Sequence, residues 1–344
     1  MDDIIVTERF IEAKDFDDYN IILDSPLPMV KGTIGWRGPR FGLEEIDFLD
    51  SISSTGNLSL RARCSTGVWI RFSTNSEVRL KGQFLGFARP KRAFDLRVDG
   101  EYVELQESTT QEEFNISLGT CGEFHTYELL MPHVAEVEIQ GIEVTPGATF
   151  RSVEPIKRLI WIACGDSITQ GMNADRPKDI YVQIVADRLG LLSRNYGVGG
   201  ARIWPELWKN GINGDAHLIS MLIGVNDHNC GDNIDEFKEK YSTFLSLALN
   251  RHPQVPIICI TPIWRKGEDA LNIKGLFLED YRDVIRSLVN EMANPMVQVV
   301  EGKELLPEDP ELLSDGVHPN NQGFRVMADN LEPYLQKAIK GIYL

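Results

Sequence analysis

The chain has 344 residues, 42% apolar and 25% charged, the composition of a folded globular protein with room for two cores. Its net charge of −16, from 35 basic and 51 acidic residues, argues against nucleic acid or another polyanion as partner. Such partners are held by clustered Lys and Arg, and no basic run here exceeds Arg89-Pro90-Lys91-Arg92; the acidity otherwise serves solubility.

The start, Met1-Asp2-Asp3-Ile4-Ile5-Val6, is acidic where a secretion signal is basic, and no apolar core follows it. No stretch approaches the roughly 20 apolar residues that span a bilayer, so no membrane span and a cytoplasmic location are expected. The opening segment, about residues 1–30, reads either as a strand or as an arm packed on the rest of the chain. Short alternating runs then recur at Val68–Phe72, Phe94–Val98 and Val137–Ile139, with the period of two that a half-buried strand requires. Turn signals separate them at Asp99-Gly100, Gly122 and Pro146-Gly147. With no convincing long helix, residues 1–152 read as an all-β sandwich, jelly-roll-like.

From about residue 157 the pattern changes. Arg158–Cys164 carries a continuous apolar run, as a strand buried on both faces needs. Ile180, Ile184, Val185 and Leu189 follow at helical spacing. Strands are then predicted at Leu218–Ile223, Val255–Thr261 and Val297–Val300, and helices at about 233–250, 273–292 and 322–338. Strands alternating with helices give an α/β class for residues 153–344, a parallel sheet with helices on both faces. Right-handed crossovers put all strand carboxyl ends on one edge, where ligands bind in such sheets.

Four segments fall at that edge. In Gly165-Asp166-Ser167, a serine at a helix start can present its hydroxyl and its N–H to substrate; a plain helix cap explains the same residues. In Asn195-Tyr196-Gly197-Val198-Gly199-Gly200-Ala201, glycines let a backbone N–H approach a substrate oxygen. Arg202 stands where a dinucleotide fingerprint needs its third glycine, so that motif fails, and an ordinary strand-to-helix turn is the alternative. In Gly224-Val225-Asn226-Asp227, an amide at a strand end can donate to an oxyanion; a turn-forming Asn-Asp pair is the alternative. In Asp315-Gly316-Val317-His318-Pro319, a turn can return the carboxylate to the imidazole, where it fixes the tautomer; a surface histidine is the alternative.

Taken in this order, the four segments resemble the conserved blocks of the GDSL or SGNH hydrolase superfamily over about residues 157–340. All four defining residue types are present: Ser167, Gly200, Asn226 and His318. The resemblance implies a three-layer SGNH-type α/β/α domain. Ser167 is then the nucleophile, His318 the general base and Asp315 its orienter, and the Ser167 and Gly200 N–H groups with the Asn226 side chain form the oxyanion hole. Gly199 competes with Gly200 for that part; Gly200 better fits the family's spacing from Asn195. The N-terminal half resembles the β-sandwich that precedes the catalytic domain in bacterial carbohydrate acetyl esterases and related two-domain acyl hydrolases or acyltransferases. Ala93-Phe94-Asp95-Leu96 resembles a Gly-x-Asp-Leu signature of one such group, with Ala93 in place of the glycine.

The implied chemistry is two-step acyl transfer through an acyl-enzyme, with no cofactor and no metal. His125, His133, His217, His228 and His252 lack metal-ligand spacing. Cys64, Cys121, Cys164, Cys230 and Cys259 are odd in number and without CxxC spacing, so neither a disulfide framework nor a zinc knuckle is indicated. Trp204, Trp264 and His228 lie near the active edge and are candidates for substrate contact. The alternatives are a seal between the two halves for the tryptophans and a surface position for His228. The expected substrate is a small acyl ester of a carbohydrate or related alcohol. An acyltransferase using the same residues, or a saccharide-binding protein with an inactive hydrolase half, are the other functions compatible with the sequence.

Overall fold

The computed structural model describes residues 3–341, apart from 54, 56, 106, 110–111, 120–121 and 154–157. Cys121 lies outside the described residues. The chain forms two compact units that do not follow a single cut. One comprises Met1–Gly42, Arg63–Lys157 and Arg176–Lys178, and the other Leu43–Ala62, Arg158–Asp175 and Asp179–Leu344.

The first unit holds two antiparallel sheets. Trp69–Thr74, His125–Leu130 and Asp95–Val98 pair in one. Glu113–Leu118, Val78–Phe87 and Ala135–Val144 pair in the other. Alternate residues point to a shared core: Ile70, Phe72, Leu96 and Leu129 from the first sheet meet Leu80, Phe114, Ile116, Val137 and Ile139 from the second. The opening segment joins these sheets. Ile4–Ile5 pairs with Thr149–Phe150, Phe10–Glu12 with Gly141–Glu143, and Ile22–Asp24 with Trp69–Arg71. Asp95 of the Ala93–Leu96 signature is buried, and it accepts Arg176 Nε at 2.7 Å and Lys178 N at 2.9 Å. That carboxylate ties the segment Arg176–Lys178 to the β unit.

The second unit is built on a five-stranded parallel sheet: β1 (Ile160–Gly165), β2 (Leu192–Gly197), β3 (Leu218–Leu222), β4 (Ile257–Ile260) and β5 (Val297–Val300). Their spatial order is β2-β1-β3-β4-β5. Trp161, Ala163, Leu218, Leu222, Ile258 and Ile260 form one core with side chains of the helices Tyr181–Leu189 and Asn321–Lys340. The intervening Ile162, Cys164, Ile219, Met221, Ile257 and Cys259 face the other way and are buried too, with Tyr241 of the helix Ile234–Arg251 beside Cys259. Burial on both faces is why these strands read as unbroken apolar runs.

Four elements differ from the sequence expectation. Helices α1 (Leu43–Ile52) and α2 (Asn57–Arg63) interrupt the part of the chain read as purely β. Almost all of this segment is counted with the α/β unit. Strand β2 is absent from the expectation, because at the sheet edge its polar Ser193, Arg194 and Asn195 break the apolar run. The helix expected from 273 starts at Leu278. Among the described residues, no helix is long and apolar enough to cross a membrane.

Candidate active site

Strand β1 ends at Gly165, and the chain turns directly into α3 (Ser167–Gln170). Asp166 caps this helix, its side chain accepting the Ile168 N–H at 2.9 Å. The capping role considered for Ser167 therefore belongs to its neighbour, and Ser167 is the first helical residue, 7% exposed. Burial raises the Asp166 carboxyl to about 7.

The Ser167 hydroxyl meets His318 Nε2 at 2.8 Å, and His318 Nδ1 meets Asp315 Oδ2 at 2.8 Å. The turn between them closes as its residues require. Ser314 N donates to the His318 carbonyl at 2.8 Å, and Gly316 adopts φ +82°. Asp315 Oδ1 accepts the Val317 and His318 N–H groups at 3.1 and 2.9 Å, while Oδ2 also accepts Asn173 Nδ2 at 3.1 Å. Burial opposes ionisation here, but the His318 N–H, the His318 ring and the Val317 N–H outweigh it and hold the carboxyl down at about 2. An ionised Asp315 can only accept, so Nδ1 carries the ring hydrogen and Nε2 offers its lone pair to Ser167. Asn173, 142 residues away from Asp315 in the sequence, carries no local signal that singles it out.

The glycine block follows β2. Gly197 packs so closely on α3 that a Cβ would stand 2.3 Å from the Gln170 nitrogen. Asn195 fixes the same junction, donating to Thr169 O at 2.7 Å and accepting from Gly197 N at 2.9 Å. Gly199 N–H donates to Gln170 Oε1 at 2.8 Å, and Gly199 O accepts from Arg61 Nη1 at 2.8 Å. Gly200 has φ +82°.

Asn226 is not at the strand end itself. It is the second residue of a short helix, Val225–Cys230, entered through Gly224 at φ +127°. Its Nδ2 donates to Ala201 O at 3.0 Å, which brings this segment to the glycine block. Asp227 is fully buried and accepts the Ile203 N–H at 2.9 Å, and burial raises its carboxyl to about 8. It anchors the loop after Gly200 rather than serving as a turn residue.

The remaining candidates are all buried. Trp204 stands edge-on to Phe48 of α1, ring centroids 6.0 Å apart, with the Arg202 guanidinium 5.1 Å from its ring. Trp264 belongs to the core cluster on one face of the sheet. His228 is not on the surface: Nε2 lies 3.2 Å from Leu276 O and Nδ1 3.2 Å from Arg265 Nη2, and burial lowers its pKa.

A serine hydroxyl, an imidazole and a carboxylate in series at the carboxyl edge of a parallel sheet are the layout of an ester hydrolase. The model of the GDSL-like lipase/acylhydrolase family matches residues 163–326, and with this similarity the chain is a carboxylic ester hydrolase. A GDSL lipase of Mycobacterium tuberculosis is 26% identical over 164 residues, 46% of this chain and 68% of the relative. The fold of a salicylyl-acyltransferase from a tetracycline biosynthetic pathway superposes with TM-score 0.83 at 19% identity, covering 96% of this chain and 97% of that one. An acetyl xylan esterase from the rumen bacterium Butyrivibrio proteoclasticus superposes with TM-score 0.65 at 14% identity, covering 99% and 100%.

Proposed function

We propose that this chain is a serine esterase that cleaves a small, acetyl-like acyl group from a carbohydrate or related alcohol, with Ser167, His318 and Asp315 as its triad. The observation that carries the proposal is the series Asp315–His318–Ser167, with both contacts at 2.8 Å. In the first step His318 Nε2 takes the Ser167 proton as Oγ attacks the ester carbonyl, and Asp315 stabilises the imidazolium. The tetrahedral oxyanion accepts hydrogen bonds from the Ser167 and Gly200 N–H groups and Asn226 Nδ2. Gly200 is preferred to Gly199 because the Gly199 N–H is already committed to Gln170. Collapse hands the proton to the leaving alcohol and leaves an acyl-serine, which water cleaves with His318 as base.

Residues 153–344 act as the SGNH-type three-layer catalytic domain and residues 1–152 as a jelly-roll-like accessory domain, except that Leu43–Ala62 belong with the former and Arg176–Lys178 with the latter. Trp204, Trp264 and His228 are so nearly buried that we assign them to shaping the substrate wall rather than to broad contact with it. The substrate class draws support from the acetyl xylan esterase among the fold relatives.

Ser167→Ala abolishes turnover of p-nitrophenyl acetate while the circular dichroism spectrum is retained; retained turnover overturns the nucleophile. A panel of p-nitrophenyl esters from acetate to decanoate, followed by acetylated sugars, tests the substrate, and preference for long chains contradicts it. The acyltransferase among the fold relatives favours a second reading, in which an alcohol replaces water as acceptor. Product analysis with candidate alcohols present separates the two. Saccharide affinity without any esterase activity would point instead to a binding protein.

A further inference from the structure

The loop that carries Gly200 is held by a closed circuit of hydrogen bonds. Gln170, on the same helix as Ser167, accepts the Gly199 N–H through Oε1 at 2.8 Å. Its Nε2 donates to Arg61 O at 2.8 Å. Arg61 Nη1 returns to Gly199 O at 2.8 Å. Arg61 lies on α2, the helix contributed from far upstream in the sequence, and nothing in the four hydrolase segments points to it.

The Gly199 carbonyl and the Gly200 N–H belong to one peptide group. That group is planar and trans, so its oxygen and its hydrogen point in opposite directions. Fixing the oxygen fixes the direction of the N–H. A guanidinium on the oxygen also draws electron density through the peptide and makes the N–H a stronger donor, since bonded groups in series polarise one another. Gly200 adopts φ +82°, and a Cβ there would stand 2.7 Å from Arg61 Nη1.

We propose that Arg61 is a positioning residue of the oxyanion hole, aiming and polarising the Gly200 N–H by its hydrogen bond to the Gly199 carbonyl. The proposal rests on Gly200 being an oxyanion donor, as argued under the proposed function. Because the oxyanion exists only in the transition state, loss of Arg61 acts on kcat and spares KM.

The test compares Arg61→Lys, Arg61→Gln and Arg61→Met with wild type and Ser167→Ala on p-nitrophenyl acetate. Thermal unfolding and circular dichroism serve as folding controls. The expected result is kcat lowered about 10- to 100-fold in Arg61→Met and less in Arg61→Lys, below the roughly 100- to 1,000-fold of losing an oxyanion donor outright, with KM changed less than about twofold. Binding of a phosphonate transition-state analogue weakens by the same factor as kcat. If Arg61→Met does not fold, Arg61→Lys against Arg61→Gln decides: the proposal requires the lysine variant to be the faster. Wild-type kcat in Arg61→Gln, or a loss confined to KM, overturns it. A dead Ser167→Ala beside unaffected Arg61 variants defeats this proposal alone, whereas an active Ser167→Ala defeats the triad.

Discussion

In the β unit, Glu138 is fully buried, and its two oxygens accept Thr33 N, Ile34 N, Arg37 Nε and Gln83 Nε2 at 2.6 to 3.1 Å. Burial works against it, yet these donors keep its pKa below the usual glutamate value. Glu128, nearly as buried, pairs with Arg71 at 3.0 Å. In the α/β unit, Asp227 is equally buried but has one N–H on Oδ1 and, among the described residues, no partner on Oδ2. Asp166 accepts only the Ile168 N–H through its side chain among the bonds described. Both have raised pKa values. The difference belongs to the sheet edge and not to the α/β unit as a whole, since buried Glu268 of that unit pairs with Arg282 and Lys303 at 2.6 Å and its pKa is lowered. Carboxyls answered by several donors stay ionised, whereas Asp166 and Asp227, beside Ser167 and the loop after Gly200, are pushed towards the neutral form by burial.

Substitutions break this contrast in a definite order. Ser167→Ala should lower kcat roughly 10⁶-fold and leave the melting temperature unchanged. Asp315→Asn keeps the shape but turns a pure acceptor into a group that can donate, and steady-state kinetics should show a loss of about 10⁴-fold. Asn226→Ala removes a proposed oxyanion donor, and a kcat about 10²–10³-fold lower is expected. Glu138→Ala is the mirror image. It removes the acceptor of the Thr33 and Ile34 N–H groups and one of the two carboxylates on Arg37, so urea unfolding should register about 1–3 kcal/mol of lost stability, with kcat per folded molecule unchanged.

The remaining effect is on the pH dependence of stability. Asp227 has a folded pKa of about 8, above its unfolded value of about 4. A raised pKa means that its contribution is complete below about pH 4 and is lost as the pH rises towards about 8, at up to ~1.4 kcal/mol per unit. Asp227→Asn keeps the acceptor for Ile203 N and should flatten that slope. Asp166, at about 7, leaves a residual slope below pH 7. Urea unfolding between pH 5 and about 8 checks the sign; a steeper slope in the variant contradicts it.

Much of this is legible in the sequence where one residue type implies one environment. Double-sided burial writes β1, β3 and β4 as apolar runs, and the Asp315–His318 turn is readable from its glycine and spacing. Helices α1 and α2 leave a weak signal because they are short and polar, although Leu43, Ile46, Leu49 and Ile52 recur every third residue and Glu44 and Glu45 open the first turn. Strand β2 leaves none because an edge strand need not be apolar. Arg61, Gln170 and Asn173 cannot be found from spacing at all. Their roles depend on partners 29 to 142 residues away, and only the fold brings them together.

The central claim is that Ser167 carries the acyl group. Labelling with a fluorophosphonate, followed by intact-mass measurement and peptide mapping, tests it most directly. One adduct per chain on Ser167, absent in Ser167→Ala and slowed when His318 is replaced by alanine, is the predicted result. An adduct on any other residue, or esterase activity that survives complete labelling, would contradict it.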